Sequence, residues 1–190
     1  MIVTLTDIAC LRGPRLLFER MSLALDAGEA LVVTGPNGVG KSSLLRIVAG
    51  LLRPSAGRIE RVGQAAWLGE ATALDGDRPL IEALRFWARL DGGVPEPAMD
   101  KMGIAHLAPV PVRYLSTGQR RRAAIARTIA SGASLWVLDE PANGLDTEGV
   151  ARLAMAIDGH RAKSGAAIVA THLPLPIDGA AKLSLDGLPA

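Results

Sequence analysis

The sequence predicts an α/β fold built around a parallel sheet. Residues 31–34, 135–138 and 166–170 form three short apolar runs, which are typical of strands buried on both faces of a sheet. Helical stretches separate these runs along the chain, and strands that alternate with helices form parallel sheets. The first run leads into a glycine-rich loop and then a helix predicted over residues 42–50, with Gly50 near its end.

Two further regions differ from this core. Residues 2–5 and 22–25 alternate apolar and polar side chains, which indicates a small antiparallel sheet. Residues 80–90 and 97–102 are predicted helices joined by a loop with the sequence Asp-Gly-Gly-Val-Pro. No strand pattern appears between about residues 72 and 133. We therefore expect a helical subdomain inserted into the core.

The length of 190 residues suits one domain. We expect residues 1–190 to form it, with the core at about 1–71 and 134–190 and the helical subdomain at about 72–133. The formal net charge is +2, which is too small to indicate nucleic-acid binding, so we expect no nucleic-acid partner.

The sequence predicts a cytoplasmic protein. No apolar run reaches the roughly 18 residues needed to span a bilayer. The amino terminus lacks the basic region of a signal peptide and reaches a carboxylate at Asp7. Cys10 is the single cysteine, which fits a reducing compartment. Any role at a membrane would require a separate partner.

The glycine-rich loop has the chemistry of a phosphate site. Residues 35–42 fit the pattern Gly-x4-Gly-Lys-Ser, in which backbone N–H groups surround phosphate oxygens and the next helix presents its positive end. Lys41 should reach the β- and γ-phosphates, and the Ser42 hydroxyl should ligate Mg²⁺. The predicted nucleotide contacts here are Gly35, Pro36, Asn37, Gly38, Val39, Gly40, Lys41, Ser42 and Ser43.

A second apolar strand ends in two carboxylates, Asp139 and Glu140. Asp139 is placed to hold Mg²⁺, and Glu140 is placed to act as general base on an attacking water. Two acids after a buried strand are also common without a function. The phosphate loop some 100 residues upstream favours the catalytic interpretation.

A helix start is predicted at Ser116, because Ser116 and Gln119 have the spacing of a capping box. This role is structural, yet a capped helix start that contains Gly118 is also an anion site.

The arginines at residues 120–122 could bind phosphate or nucleic acid. We favour a solvated helix face for them. His106 and His160 are expected at the surface.

Taken in order, these motifs resemble the ABC ATPase family over nearly the whole chain. Leu-Ser-Thr-Gly-Gln at residues 115–119 resembles the ABC signature, residues 143–146 the D-loop, and His172 the switch histidine. The resemblance implies a P-loop core with ATP and Mg²⁺ as ligands. It implies that Ser116, Gly118 and Gln119 contact the γ-phosphate held by a second copy, and that Asp146 lies near the nucleotide. His172, Glu140 and Lys41 would be the catalytic residues.

Within the family, the chain resembles the ATP-binding subunit of the bacterial c-type cytochrome maturation system, a haem exporter. The stretches that carry this resemblance are residues 10–18, 114–122, 135–141, 149–153 and 171–175. The resemblance implies a homodimer with two ATP molecules at its interface and integral membrane subunits docked near Glu70 and the helical insert. It places the chain on the cytoplasmic face of the inner membrane. We expect no direct haem binding.

The sequence departs from the family pattern at two positions. An aromatic residue that stacks on adenine usually stands about 30 residues before the P-loop lysine, where this chain has Leu11 and Arg12. Arg12 could stack through its guanidinium plane. The glutamine that senses Mg²⁺ and the membrane partner is replaced by Glu70. Glutamate could also ligate Mg²⁺, although its negative charge would lie beside Asp139 and Glu140.

Three other functions compete with a transporter subunit. A soluble ABC ATPase, such as an iron–sulfur cluster assembly ATPase, would keep the same motifs, and copurification with a membrane protein would separate the two. A P-loop small-molecule kinase would explain residues 35–42 but not the later motifs. A regulatory binding module without hydrolysis is disfavoured by Glu140.

Overall fold

A computed structural model describes residues 1–185 of the chain. Within these residues, eight strands and five α-helices follow one another, with two short 3₁₀ helices at Ala105–Leu107 and Val112–Tyr114. The strands are β1 (Val3–Arg12), β2 (Arg15–Leu25), β3 (Ala30–Thr34), β4 (Ala56–Arg61), β5 (Ala65–Leu68), β6 (Leu135–Asp139), β7 (Ala166–Ala170) and β8 (Ala181–Ser184). The helices are α1 (Lys41–Ala49), α2 (Leu80–Asp91), α3 (Glu96–Lys101), α4 (Thr117–Ala130) and α5 (Thr147–Arg161).

The larger sheet is parallel and has five strands in the order β5-β6-β7-β3-β8. The three strands predicted from apolar runs, β3, β6 and β7, form its centre. Successive residues of β6 enter different cores: Leu135 and Val137 pack with α1, whereas Trp136 and Leu138 pack with the helices of the other face. Burial of both faces explains the continuous apolar runs.

The outer strands β5 and β8 were not predicted. Residues 65–67 of β5 are half-buried, and most of β8 is exposed. Such strands lack the apolar run that identifies a central strand. Their positions depend on backbone pairing with β6 and β3, which the local sequence does not encode.

The smaller sheet is antiparallel, with strand order β2-β1-β4. The prediction from residues 2–5 and 22–25 is confirmed, although β1 and β2 extend further and meet in a hairpin at Arg12 and Arg15. Ile8 and Phe18 are fully buried in the core that this sheet shares with α1. The antiparallel sheet therefore covers the first helix and lies beside the glycine-rich loop.

Helices occupy the middle of the chain, as predicted. Among the described residues, no strand lies between Leu68 and Leu135. Helices α2, α3 and α4 pack around Leu84, Met99 and Ile125. Gly93 lets the loop after α2 approach α4, because a Cβ at this position would lie only 1.6 Å from the Ala130 carbonyl oxygen. The division of the chain into core and subdomain stays a prediction.

The helices are short in relation to a bilayer. The longest, α5, has 15 residues. Within residues 1–185, no helix combines the length and the apolar character needed to cross a membrane.

The surface position predicted for His160 is wrong, whereas His106 is exposed as predicted. The imidazole of His160 stacks on Trp136 with ring centroids 4.0 Å apart, and its Nε2 lies 3.2 Å from the Ala166 carbonyl oxygen. Burial lowers the pKa of His160, while hydrogen bonds to the backbone of Ala166 and Ser134 raise it. The histidine therefore belongs to the packing between α5 and the parallel sheet.

His160 should make the protein less stable in weak acid. Because its pKa is lower in the folded chain, the unfolded chain binds a proton more readily once the pH falls through the usual histidine range. Above that pH range His160 is neutral in both states and does not lower the free energy of unfolding. His160→Phe keeps an aromatic ring against Trp136 and should lessen the fall in unfolding free energy between about pH 8 and pH 5. Urea unfolding at several pH values measures this. His106→Phe is the control, and equal pH slopes for His160→Phe and wild type would contradict the prediction.

Candidate functional site

The glycine-rich loop connects β3 to α1 at the carboxyl edge of the parallel sheet. Its glycines at residues 35, 38 and 40 have φ values of 138°, 78° and 120°, which side chains rarely adopt. A Cβ on Gly40 would also lie 3.3 Å from the Phe18 ring. The Lys41 side chain is buried, and its Nζ donates to the carbonyl oxygens of Gly35 at 2.6 Å and Pro36 at 3.1 Å. The ammonium therefore lies inside the loop.

The two carboxylates after β6 have different surroundings. Asp139 Oδ1 is buried and has no hydrogen-bond partner among the described residues. Burial raises the pKa of Asp139 and the nearby Glu140 carboxylate raises it further, while a hydrogen bond from Ser42 lowers it. An unpaired buried carboxylate oxygen beside a hydroxyl is a donor set that suits Mg²⁺.

A protein-only metal cage is absent from residues 1–185, where no three His, Cys, Asp or Glu side chains are grouped to hold an ion. Mg²⁺ usually keeps several waters and binds one or two protein ligands together with substrate phosphates. Ser42 and Asp139 fit that arrangement. Glu70, also predicted to be a ligand, lines the same cleft of ≈ 720 Å³ as these two residues.

Glu140 has a left-handed backbone with φ of 48°, which is uncommon outside glycine. Its Oε2 lies 2.9 Å from Nδ1 of His172 and accepts from the His172 backbone N–H at 3.3 Å. A carboxylate at this distance favours the tautomer in which Nδ1 carries the proton. His172 follows β7. The ends of β3, β6 and β7 thus bring Lys41, Glu140 and His172 to one edge.

The capping box predicted at the start of α4 is confirmed. The Gln119 N–H donates to Ser116 Oγ at 3.2 Å, and the Ser116 N–H donates to Gln119 Oε1 at 2.9 Å. Gly118 packs on residues 143–146, since a Cβ there would lie 2.9 Å from the Gly144 carbonyl oxygen. Thr117 lines the cleft that contains Ser42.

Asp146 caps the next helix. Its Oδ1 accepts from the Gly149 N–H at 2.8 Å at the start of α5, and the Arg122 guanidinium donates to the same oxygen. The hydrogen bond from Arg122 lowers the pKa of Asp146, and that from Gly149 lowers it further. The contact of Asp146 with nucleotide stays a prediction.

The solvated face predicted for residues 120–122 is wrong for Arg121 and Arg122, whereas Arg120 is exposed as predicted. Arg121 is only 7% exposed and donates to four backbone carbonyl oxygens. Arg122 pairs with Asp146, and Arg120 donates to the carbonyl oxygens of Leu115 and Arg113. Arg121 lies three and four residues before Ala124 and Ile125, which are buried, so helical spacing could have placed it on the inward face.

The surroundings of Arg121 explain how a charge is accommodated there. Burial lowers the pKa of Arg121, while the carboxylates of Asp139, Glu140 and Glu70 raise it. Arginine stays protonated in proteins, so the guanidinium remains a cation at the ends of β5 and β6. Sequence reasoning missed this residue because its partners are carbonyl groups distant in the chain.

Arg12 ends β1 and is exposed, opposite Arg15 in the hairpin. Arg15 lies closer to the glycine-rich loop: its Nη1 is 4.0 Å from the place of a Cβ on Gly38. Sequence reasoning singled out Arg12 by spacing and overlooked Arg15. A hairpin of known turn length would have indicated that both arginines lie at the same end.

Ser43 was predicted to contact nucleotide, yet its side chain is buried on α1. Burial raises the pKa of the Cys10 thiol, while the charge of Arg12 and a hydrogen bond with Ser43 lower it. Ser43 therefore lies near Cys10 on β1, on the side of α1 that faces the antiparallel sheet. A nucleotide contact by Ser43 stays a prediction.

Comparison with protein families matches residues 18–143 to the ABC transporter family. Two curated relatives are named cytochrome c biogenesis ATP-binding export protein CcmA. The protein from Sphingopyxis alaskensis is 57% identical over 179 residues, which is 93% of this chain and 92% of the relative. The protein from Novosphingobium aromaticivorans is 54% identical, over 95% of this chain and 93% of the relative.

Solved structures share the fold. An ABC transporter ATP-binding protein from Pyrococcus furiosus superposes with a TM-score of 0.87 at 20% identity over 100% of both chains. The ATP-binding subunit of an ABC transporter superposes with a TM-score of 0.83 at 22% identity, over 91% of this chain and 80% of the other. At such identities the likeness concerns the arrangement of helices and strands.

Proposed function

This chain belongs to the ABC transporter family, and from that membership we propose how it uses ATP and what the hydrolysis drives. It is an ATP-binding subunit, an ATPase coupled to transport. We propose that its transporter exports haem or another factor for c-type cytochrome biogenesis. The names of relatives more than 50% identical over nearly the whole chain support this cargo. They favour an exporter over a soluble cluster-assembly ATPase or a small-molecule kinase.

The proposed ATP site uses the glycine-rich loop and the start of α1. Backbone N–H groups of residues 35–42 would bind the β- and γ-phosphates, and the positive end of α1 would face the same anion. Lys41 would turn its ammonium from the carbonyl oxygens of Gly35 and Pro36 to the phosphates. Ser42 and Asp139 would hold Mg²⁺, with Glu70 as a further ligand. Bound Mg²⁺ would neutralise charge on the phosphate oxygens.

Glu140 is the proposed general base, and its contact with His172 is the observation that carries this mechanism. The Glu140 carboxylate takes a proton from water as the water oxygen attacks the γ-phosphorus. The bond from γ-phosphorus to the bridging oxygen breaks, and its electrons leave with ADP. His172 would orient the carboxylate through the 2.9 Å contact, with its Nδ1–H as the donor. Lys41 would stabilise the charge on the phosphates.

The active site is proposed to be completed by a second copy. The capping box satisfies the N–H groups of Ser116 and Gln119, while those of Thr117 and Gly118 have no partner within the helix. Such a helix start is suited to a phosphate. We propose a head-to-tail homodimer in which residues 35–42 of one copy and residues 116–119 of the other hold each ATP. Asp146 would lie at this interface.

The membrane part of the transporter is proposed to be separate subunits. Docking near Glu70 and the helices α2 and α3 would link their movement to closure of the ATP site. This arrangement would place the chain on the cytoplasmic face of the inner membrane. Haem or another cargo would be bound by those subunits rather than by this chain.

Replacement of the proposed base should stop turnover but preserve ATP binding. In Glu140→Gln the glycine-rich loop is intact, while the amide cannot accept the proton, so hydrolysis should fall about 10²–10⁴-fold. Phosphate release and calorimetric ATP binding by the purified full chain measure the two quantities. Glu60→Gln, on exposed β4, is the control. Wild-type turnover by Glu140→Gln would remove Glu140 from the mechanism.

The Glu140→Gln variant also tests the proposed cargo in cells. If hydrolysis drives a step of cytochrome c biogenesis, replacing the wild-type chain by Glu140→Gln should abolish haem-stained c-type cytochromes in membranes. Glu60→Gln should preserve them. Normal cytochrome levels with a Glu140→Gln protein that does not hydrolyse ATP would contradict the proposed cargo. They would leave the proposed ATPase mechanism intact.

Arg12 is the proposed adenine contact in place of an aromatic residue, and Arg15 is its matched control. A guanidinium that stacks on a base contributes on the order of 1 kcal/mol, so Arg12→Ala should bind ATP several-fold more weakly. The same substitution should leave inorganic triphosphate binding unchanged. Calorimetry with ATP, GTP and triphosphate measures this. A loss only in Arg15→Ala would transfer the role to Arg15.

ATP should assemble the homodimer. Glu140→Gln with ATP and Mg²⁺ should double its mass in light scattering, because ATP adds contacts across the interface. Adding Ser116→Arg should prevent the doubling through bulk at the phosphate, while each chain still binds ATP. A monomeric Glu140→Gln protein with bound ATP, together with one copy per membrane complex, would refute the homodimer.

A further inference from the structure

A buried guanidinium connects α4 to the catalytic strand ends. Arg121 Nη1 donates to the Gly69 carbonyl oxygen at 2.6 Å, at the end of β5. Its Nε donates to the Pro141 carbonyl oxygen at 3.0 Å, just past β6. Arg121 lies five positions after Ser116, the residue that caps the start of α4. One side chain thus joins the signature helix to two neighbouring strands of the parallel sheet.

The contacts of Arg121 that matter most for the site are those with the backbone on either side of Glu140. Arg121 Nη2 donates to the carbonyl oxygens of Asp139 at 3.0 Å and of Glu140 at 2.6 Å. These two carbonyls belong to the peptide planes on either side of the Glu140 Cα. Fixing both planes fixes φ and ψ of Glu140, whose φ of 48° is one that residues other than glycine seldom adopt. The backbone conformation in turn directs the carboxylate towards His172.

Arginine is specifically suited to this position. Its planar guanidinium presents five N–H donors in a fixed geometry, which four carbonyl oxygens in different directions require. A lysine ammonium would keep the charge but would present its three donors from one point. The Arg121 cation also faces the carboxylates of Asp139, Glu140 and Glu70.

We propose that Arg121 is a positioning residue for ATP hydrolysis, which holds the Glu140 backbone in its left-handed conformation and so aims the carboxylate at the attacking water. The proposal rests on the role of Glu140 as general base. Arg121 itself would have no contact with the reacting atoms. Its effect on turnover should therefore pass through Glu140 and should vanish when Glu140 cannot act as a base.

The test compares Arg121→Met and Arg121→Lys in the full chain, together with its copurifying membrane subunits. Both variants should bind ATP as wild type does, because the glycine-rich loop is untouched. Turnover should fall by up to about 10²-fold, the effect of a slightly misplaced catalytic group. Arg121→Lys keeps the charge, so its loss of kcat would show that the fixed donor geometry matters rather than the cation.

Arg127→Met is the matched control. Arg127 is on the same helix and half-buried, but its guanidinium lies 3.6 Å from the Trp87 ring centroid, away from the strand ends. The variant Arg127→Met should lower the melting temperature without a selective loss of kcat. If Arg127→Met and Arg121→Met reduce kcat equally at equal loss of stability, Arg121 is only structural and the proposal is overturned.

A double-mutant cycle separates this proposal from the mechanism on which it rests. In single-turnover assays, Arg121→Met should slow wild type but should not slow Glu140→Gln further. Equal slowing in both backgrounds overturns the positioning role while Glu140 stays the base. If Glu140→Gln alone turns over normally, the proposed base fails first. If Arg121→Met does not fold, Arg121→Lys completes the same cycle.

Discussion

The site depends on the parallel pairing of β3, β6 and β7. Because the three strands run in the same direction, the residues that follow them meet at one edge: Lys41, Glu140 and His172. The register is held by burial of both sheet faces, since a shift by one residue would exchange the side chains that enter the two cores. The packing of an apolar sheet thus determines the geometry of a polar site.

Opposite charges lie close together at this edge of the parallel sheet, and each affects the electrostatic environment of the others. Asp139 has a buried oxygen without a partner, and burial raises its pKa, so a cation beside Ser42 would satisfy the carboxylate. Arg121 supplies a permanent positive charge near the same strand end. The edge also stores conformational strain, because Glu140 adopts a left-handed backbone between two carbonyls that Arg121 binds. Folding energy from the core maintains this arrangement.

Prediction from sequence succeeded where the information is local. Apolar runs identified the three central strands, and the spacing of Ser116 and Gln119 identified the start of α4. Prediction from sequence failed where contacts with residues distant in the chain determine the position of a strand or side chain. Strands β5 and β8 carry no strong local pattern, and the roles of Arg121 and His160 become evident only from the carbonyl oxygens and the Trp136 ring that they meet. The substitution at Glu70 was visible in the sequence, yet its place in the same cleft as Ser42 required the fold.

In the proposed homodimer, the phosphates of one ATP are held by the glycine-rich loop of one copy and the start of α4 of another. Hydrogen exchange followed by mass spectrometry tests it directly, because amides that bind phosphate exchange slowly. In Glu140→Gln with ATP and Mg²⁺, peptides covering residues 35–42 and 116–119 should both gain protection. With ADP, only the first should. Protection of residues 35–42 alone in the presence of ATP would contradict the shared site.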